Sequence, residues 1–149
     1  MDAFSVTRVL HELIGQRCEN VENPHGSVLS IDIGPMGTRV GEENAKAHGW
    51  RHLTVLSPWR LETLDKILTV WNTPGGTEHP DLVVAVSRLI GLRVVNVESS
   101  PPAWDLTITW SSDIPLRVFA DSTPQREDAW FILGTDGEEV AGVPNKERY

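Results

Sequence analysis

Residues 13–22 read LIGQRCENVE, and residues 89–98 read LIGLRVVNVE. At a shift of 76, seven of these ten positions are identical: Leu13/Leu89, Ile14/Ile90, Gly15/Gly91, Arg17/Arg93, Asn20/Asn96, Val21/Val97 and Glu22/Glu98. Upstream, Val6, Val9, Leu10, Leu13 and Ile14 follow the spacing of a helix with one apolar face. Leu82, Ala85, Val86, Leu89 and Ile90 reproduce it. Ser5 and Asp81 stand where N-caps are expected, and Gly15 and Gly91 where a helix ends in a left-handed residue. The repeated phrase therefore marks the place where a helix stops and a strand begins, once in each half.

Downstream, both halves continue in period-2 alternation, which predicts strands. RCENVE matches RVVNVE, and SVLSIDIG matches DLTITW after one added residue. Leu29, Ile31 and Ile33 share a face, as do Leu106, Ile108 and Trp110, leaving Ser30, Asp32, Thr107 and Thr109 for a wet face. TRV at 38–40 aligns with LRV at 116–118 as a third strand, and WRLE at 59–62 with WFIL at 130–133 as a fourth. Asp65-Lys66 and Asp136-Gly137 then fall in equivalent turns before a fifth. The first half carries the insertion VGEENAKAHGWRHLTVLS, in which HLTVLS reads as an extra strand. Residues 72–80, NTPGGTEHP, form a turn-rich connector.

The expected fold is α+β: one domain, 1–149, of two tandem α-β-β-β-β(-β) repeats (about 5–70 and 81–143). It has mainly antiparallel sheets, one helix per repeat and a pseudo-twofold relation between the halves. A repeat of this size alone would support only a thin core, so the halves are read as one fused unit. Any groove is expected at their seam.

The 149 residues include 40% hydrophobic and 23% charged side chains, the composition of a folded chain. A lone Cys18 and no CxxC argue against disulfides and structural zinc. With no signal-like N-terminus and no long apolar run, a cytoplasmic location is expected. Net charge is −8, of which residues 77–149 supply −6 (6 Lys/Arg against 12 Asp/Glu). An acidic surface disfavours nucleic acid and anionic membrane and favours a partner protein with a basic surface; a homodimer is the other assembly considered.

Arg17/Arg93 and Asn20/Asn96 recur at equal spacing, but residues three apart on a strand face opposite sides unless a bulge intervenes. The structural alternative has Arg satisfying helix C-terminal carbonyls and Asn closing a turn. His48 and His52 in HGWRH resemble a metal pair on a helical face, but the intervening glycine breaks that face and no nearby acid completes a site, so no metal and no cofactor are expected. His11, His25 and His79 lack spaced partners. GPMGTRVG lacks the GK[ST] of a phosphate loop. No GxSxG accompanies a nucleophile, and adjacent carboxylates such as Glu42-Glu43 are ordinary solvated faces, so no catalytic residue is assigned. Trp59 and Trp130 match as core anchors, whereas Trp104, after PPA, is a candidate exposed hot spot.

WRLE, the strand starts around PHGSVLSIDIG and the late DAWFIL block resemble small bacterial proteins grouped as domains of unknown function. Some of these are immunity or accessory proteins beside toxin genes. The resemblance spans about a third of the chain, implies a fold with tandem α-β repeats and lends no catalytic residue. The function expected is non-enzymatic binding, in its sharpest form an immunity-type protein. Its acidic second half, with Asp113, Asp121, Glu127, Asp128, Asp136, Glu138 and Glu139, would cap a basic partner. The alternative is a protein or enzyme that takes a small anionic ligand at the seam, lined by Arg17 and Arg93.

Overall fold

The computed structural model describes residues 3–23, 28–38, 46–63, 65–70, 80–120 and 129–142. In chain order its elements are α1 (Ala3–Glu12), β1 (Cys18–Glu22), β2 (Leu29–Ile33), β3 (Arg51–Val55), β4 (Trp59–Glu62) and β5 (Ile67–Val70). There follow α2 (Pro80–Ser87), β6 (Val94–Ser99), β7 (Leu106–Trp110), β8 (Ile114–Val118), β9 (Trp130–Gly134) and β10 (Glu139–Gly142). The strands form two five-stranded antiparallel sheets, ordered β1-β2-β3-β9-β10 and β5-β4-β8-β7-β6. The class is α+β. Each sheet takes three consecutive strands from one half of the chain and its last two from the other.

The two halves pair their first strands in the same register. Cys18 faces Ile33, Val21 faces Ile31 and Glu22 faces Ser30, with a bulge between Cys18 and Asn20. Likewise Val94 faces Trp110, Val97 faces Ile108 and Glu98 faces Thr107, with a bulge between Val94 and Asn96. That register is set by burial: a one-residue slip would turn Leu29, Ile31 and Ile33 outward at roughly 1.5–3 kcal/mol each. Both helices stop at glycines in the left-handed region, Gly15 at φ 89° and Gly91 at φ 92°, where a side chain would be strained.

Between the halves the main chain bonds reciprocally. The Gly15 N–H donates to Val94 O (2.7 Å) and the Gly91 N–H to Cys18 O (2.8 Å). The Cys18 N–H donates to Leu92 O (2.8 Å) and the Val94 N–H to Gln16 O (2.9 Å). Where the chain crosses between sheets, the Leu56 N–H donates to Ala129 O (2.9 Å) and the Phe119 N–H to Pro58 O (2.8 Å).

One core collects side chains from both sheets and both helices, including Leu13, Leu29, Ile31, Leu53, Trp59, Leu89, Leu106, Trp110, Leu116 and Trp130. Helix α1 packs on β10 and β6, and α2 on β5 and β1. Each helix thus lies on the edge strands of both sheets, where unpaired strand edges would otherwise stand open.

Four expectations are corrected. The third strand of the first half is Arg51–Val55, inside the insertion, because RHLTV alternates buried and half-buried residues as IPLRV does; Thr38 lies outside any strand and 39–40 fall outside the described residues. Ser5 and Asp81 sit inside the first helical turns rather than at caps, since α1 starts at Ala3 and α2 at Pro80, a residue suited to a first helical position. Ile14 and Ile90 close the apolar pattern yet are 44% and 42% exposed, because the chain has already turned away at the helix end. Asp32, assigned to a wet face, is 4% exposed. Trp59 and Trp130 are core anchors, 1% and 0% exposed. The connector 72–80 falls outside the described residues apart from Pro80.

Candidate functional site

Arg17 and Arg93 meet at the seam as an antiparallel bridge pair. Their side chains are exposed and diverge in partner: Arg17 Nη1 donates to Glu19 Oε2 (2.6 Å), while Arg93 Nη1 donates across the seam to Gly15 O (2.9 Å). The second contact is a cation on a helix-terminal carbonyl, contributed by the opposite half. Asn20 and Asn96 close no turn; each donates Nδ2 to the glutamate two residues on, Glu22 at 3.1 Å and Glu98 at 3.2 Å. Residues two apart on a strand share a face, and the bulges that precede Asn20 and Asn96 leave that alternation intact.

Of the acidic residues named from sequence, the described ones take different places. Asp136 and Glu138 surround Arg51, whose side chain is only 3% exposed: Nη1 lies 3.4 Å from Asp136 Oδ1, and Nη2 lies 3.1 Å from both Glu138 Oε1 and Glu12 Oε2. Arg8 joins the same knot by pairing with Glu12 and Glu138. The Arg51 guanidinium also sits 4.6 Å over the Trp50 ring, a favourable cation–π placement. These charges tie α1, β3 and the β9–β10 turn together. Glu139 is exposed at the start of β10 and Asp113 in the β7–β8 turn, the latter at φ 54°. Asp121, Glu127 and Asp128 fall outside the described residues. Trp104 is half-buried against the core, and its carbonyl accepts the Trp130 Nε1–H at 2.8 Å; the ring anchors the 100–105 turn.

A different group converges where the insertion returns to the sheet. Asp32 on β2 lies directly opposite His52 on β3, and its Oδ1 is 2.7 Å from His52 Nδ1. The same oxygen accepts the Gly49 N–H at 2.9 Å and lies 3.8 Å from His48 Nδ1. The two imidazoles meet edge to face at 4.9 Å between centroids. Residue 49 must be glycine here: a Cβ would fall 2.6 Å from Ile33 N and 2.9 Å from the Asp32 carbonyl carbon. Reciprocal bonds between Gly37 and His48, 2.7 Å each way, hold the returning segment. Burial pushes the Asp32 carboxyl up, but the His52 hydrogen bond, the Gly49 N–H and the nearby imidazoles outweigh it and hold the group below the usual carboxylate range.

The missing acid for His48 and His52 is therefore Asp32, and the pair sits on a strand and its approach rather than on a helix. Sequence reading overlooked it because it set Asp32 on a solvated face. The available signal was a carboxylate inside the apolar run LSIDI, followed by a glycine flanked by two histidines. One donor atom from each of Asp32, His48 and His52 lies within 4.8 Å of the others, and among the described residues no other such trio of His, Cys, Asp or Glu occurs. Cys18, buried on the inner face, has its thiol pushed up to about 12 by burial and stays outside the donor set.

A cleft of about 280 Å³ between α1 and β6 is lined by Thr7, Leu10, His11, Val97, Glu98 and Ser99 among others. It lies between elements of opposite halves, but it is smaller than most ligand sites and carries an acid. Among the described residues no helix is long and apolar enough to cross a membrane. Comparisons with family models, curated proteins and solved structures find no match to this chain.

Proposed function

We propose that this chain is a duplicated, non-enzymatic binding protein, its halves related by a pseudo-twofold axis at the Arg17–Arg93 bridge, and that it engages a protein partner with a basic surface. The reciprocal main-chain bonds of Gly15, Cys18, Gly91 and Val94 support the duplication. One observation carries the partner's chemistry. Apart from Lys66, Arg88 and Arg93, every described basic side chain is held by a carboxylate of the chain itself. Positive charge is thereby quenched locally, and the chain as a whole keeps an excess of carboxylates, net −8. Such a field speeds encounter with a cationic surface and is screened by salt.

The immunity-type version gives the partner's site to steric capping. Asp136 and Glu138 are then internal ties, and the contact acids are Asp113 and Glu139 together with Asp121, Glu127 and Asp128. Affinity purification on the tagged chain tests this: a basic protein retained in low salt and released in high salt supports it, and recovery that ignores both partner charge and salt contradicts it. The second reading keeps an anionic small ligand at the seam, favoured by the pairing of Arg17 with Arg93. It requires an anion that raises the melting temperature of the wild type and not of Arg17→Ala.

A further inference from the structure

We propose that Asp32, His48 and His52 form a binding site for one divalent first-row transition-metal cation, of the zinc type. Two imidazoles and one carboxylate are the donor set that such ions favour over Mg²⁺ or Ca²⁺, which take oxygen ligands. The geometry is close to what coordination needs. With metal–ligand bonds of about 2.0–2.2 Å, donor atoms stand roughly 3.0–3.5 Å apart; Asp32 Oδ1 lies 2.7 Å from His52 Nδ1 and 3.8 Å from His48 Nδ1. Shifts on the order of 1 Å complete the set. They fall mainly on His48, which is carried by the returning loop rather than by a strand.

The site is prepared in other respects. Asp32 and His52 are fixed by cross-strand register, and the Gly49 N–H orients the carboxylate from behind, the arrangement that keeps a ligating acid in place. Side-chain exposures of 6% for Asp32, 14% for His52 and 22% for His48 leave an opening on one side. Three protein ligands with an open flank leave room for water or a further ligand. Lys46, the nearby cation, is drawn off to Glu22 at 2.6 Å. The corresponding places of the second half hold Thr109 and Pro115, so the donors belong to the insertion and its strand pair alone.

Titration of the full chain with Zn²⁺ by calorimetry, and with Co²⁺ by visible absorption, tests the assignment. One saturable equivalent is expected, with Co²⁺ bands of a nitrogen–oxygen site and no sulfur charge-transfer band. His48→Gln and His52→Gln each weaken Zn²⁺ binding by about tenfold or more, while His11→Gln leaves it unchanged. His48→Gln lies on the loop, where the backbone bonds to Gly37 persist, so it reports even where His52→Gln unfolds. No saturable uptake by the wild type, or uptake indifferent to His48→Gln, overturns the proposal and leaves the trio a hydrogen-bonded tie.

Discussion

The strand triplets β1–β2–β3 and β6–β7–β8 share their order, register and first-strand bulge, yet they cover their outer faces differently. Between β7 and β8 the chain turns in three residues, 111–113, and the outer face carries Thr109, Pro115 and Arg117. Between β2 and β3 the chain is longer, and it comes back to lay His48 and Gly49 against Asp32. Shared letters build the scaffold, and extra length buries a charge that the shorter turn has no means to cover. A carboxylate at the place of Thr109 would stand open to water, whereas at 32 it is desolvated and needs the partners it has.

The triplets also differ at their ends. Arg51 opens β3 where Ile114 opens β8, so the first half closes over a buried guanidinium held by three carboxylates and the second over an apolar side chain. Replacing Arg51 by Ala should cost about 3 kcal/mol, the low end for a broken buried pair because its acids are partly exposed. Chemical denaturation checks this, and a loss no larger than that of an exposed arginine would remove the knot from the account. Of comparable size, Leu13→Ala and Leu89→Ala should each cost about 2–5 kcal/mol and agree within about 1 kcal/mol, since both lie fully buried. Unequal losses would count against the proposed duplication.

Asp32→Asn should destabilise by about 1–3 kcal/mol, whereas Thr109→Val should change little. The pH dependence sharpens the contrast. Because the folded-state pKa of Asp32 is depressed below 3.8, its ionised form contributes stability that is present in full above that value and lost as pH falls through the folded pKa. Melting temperatures on the acid side should therefore fall less steeply in Asp32→Asn than in the wild type. Smallest of all, Glu139→Gln and Asp113→Asn should shift stability by less than about 0.5 kcal/mol, and their effect should appear in partner binding instead.

Much of this was readable in the sequence. The helix stops, the strand alternation and the matched tryptophans follow from local rules, because a left-handed glycine and a period of two are properties of neighbouring residues. The exchange of β4–β5 and β9–β10 between sheets was not legible, since alternation states which face is buried and not which strand lies alongside. The true third strand was hidden by a chance match of TRV with LRV, while RHLTV carried the real pattern. Asp32 escaped for a related reason: its partners stand 16 to 20 positions away, and only register and loop closure bring them within reach.

The proposed duplication requires one helix-to-strand junction built twice and crossed at the seam by matching bonds. Amide hydrogen exchange by NMR tests it most directly at Gly15, Cys18, Gly91 and Val94. Protection should be strong at all four and alike within about tenfold across each pair, Gly15 with Gly91 and Cys18 with Val94, because each pair opens by the same event. Free exchange at one member of a pair beside strong protection at the other would contradict it.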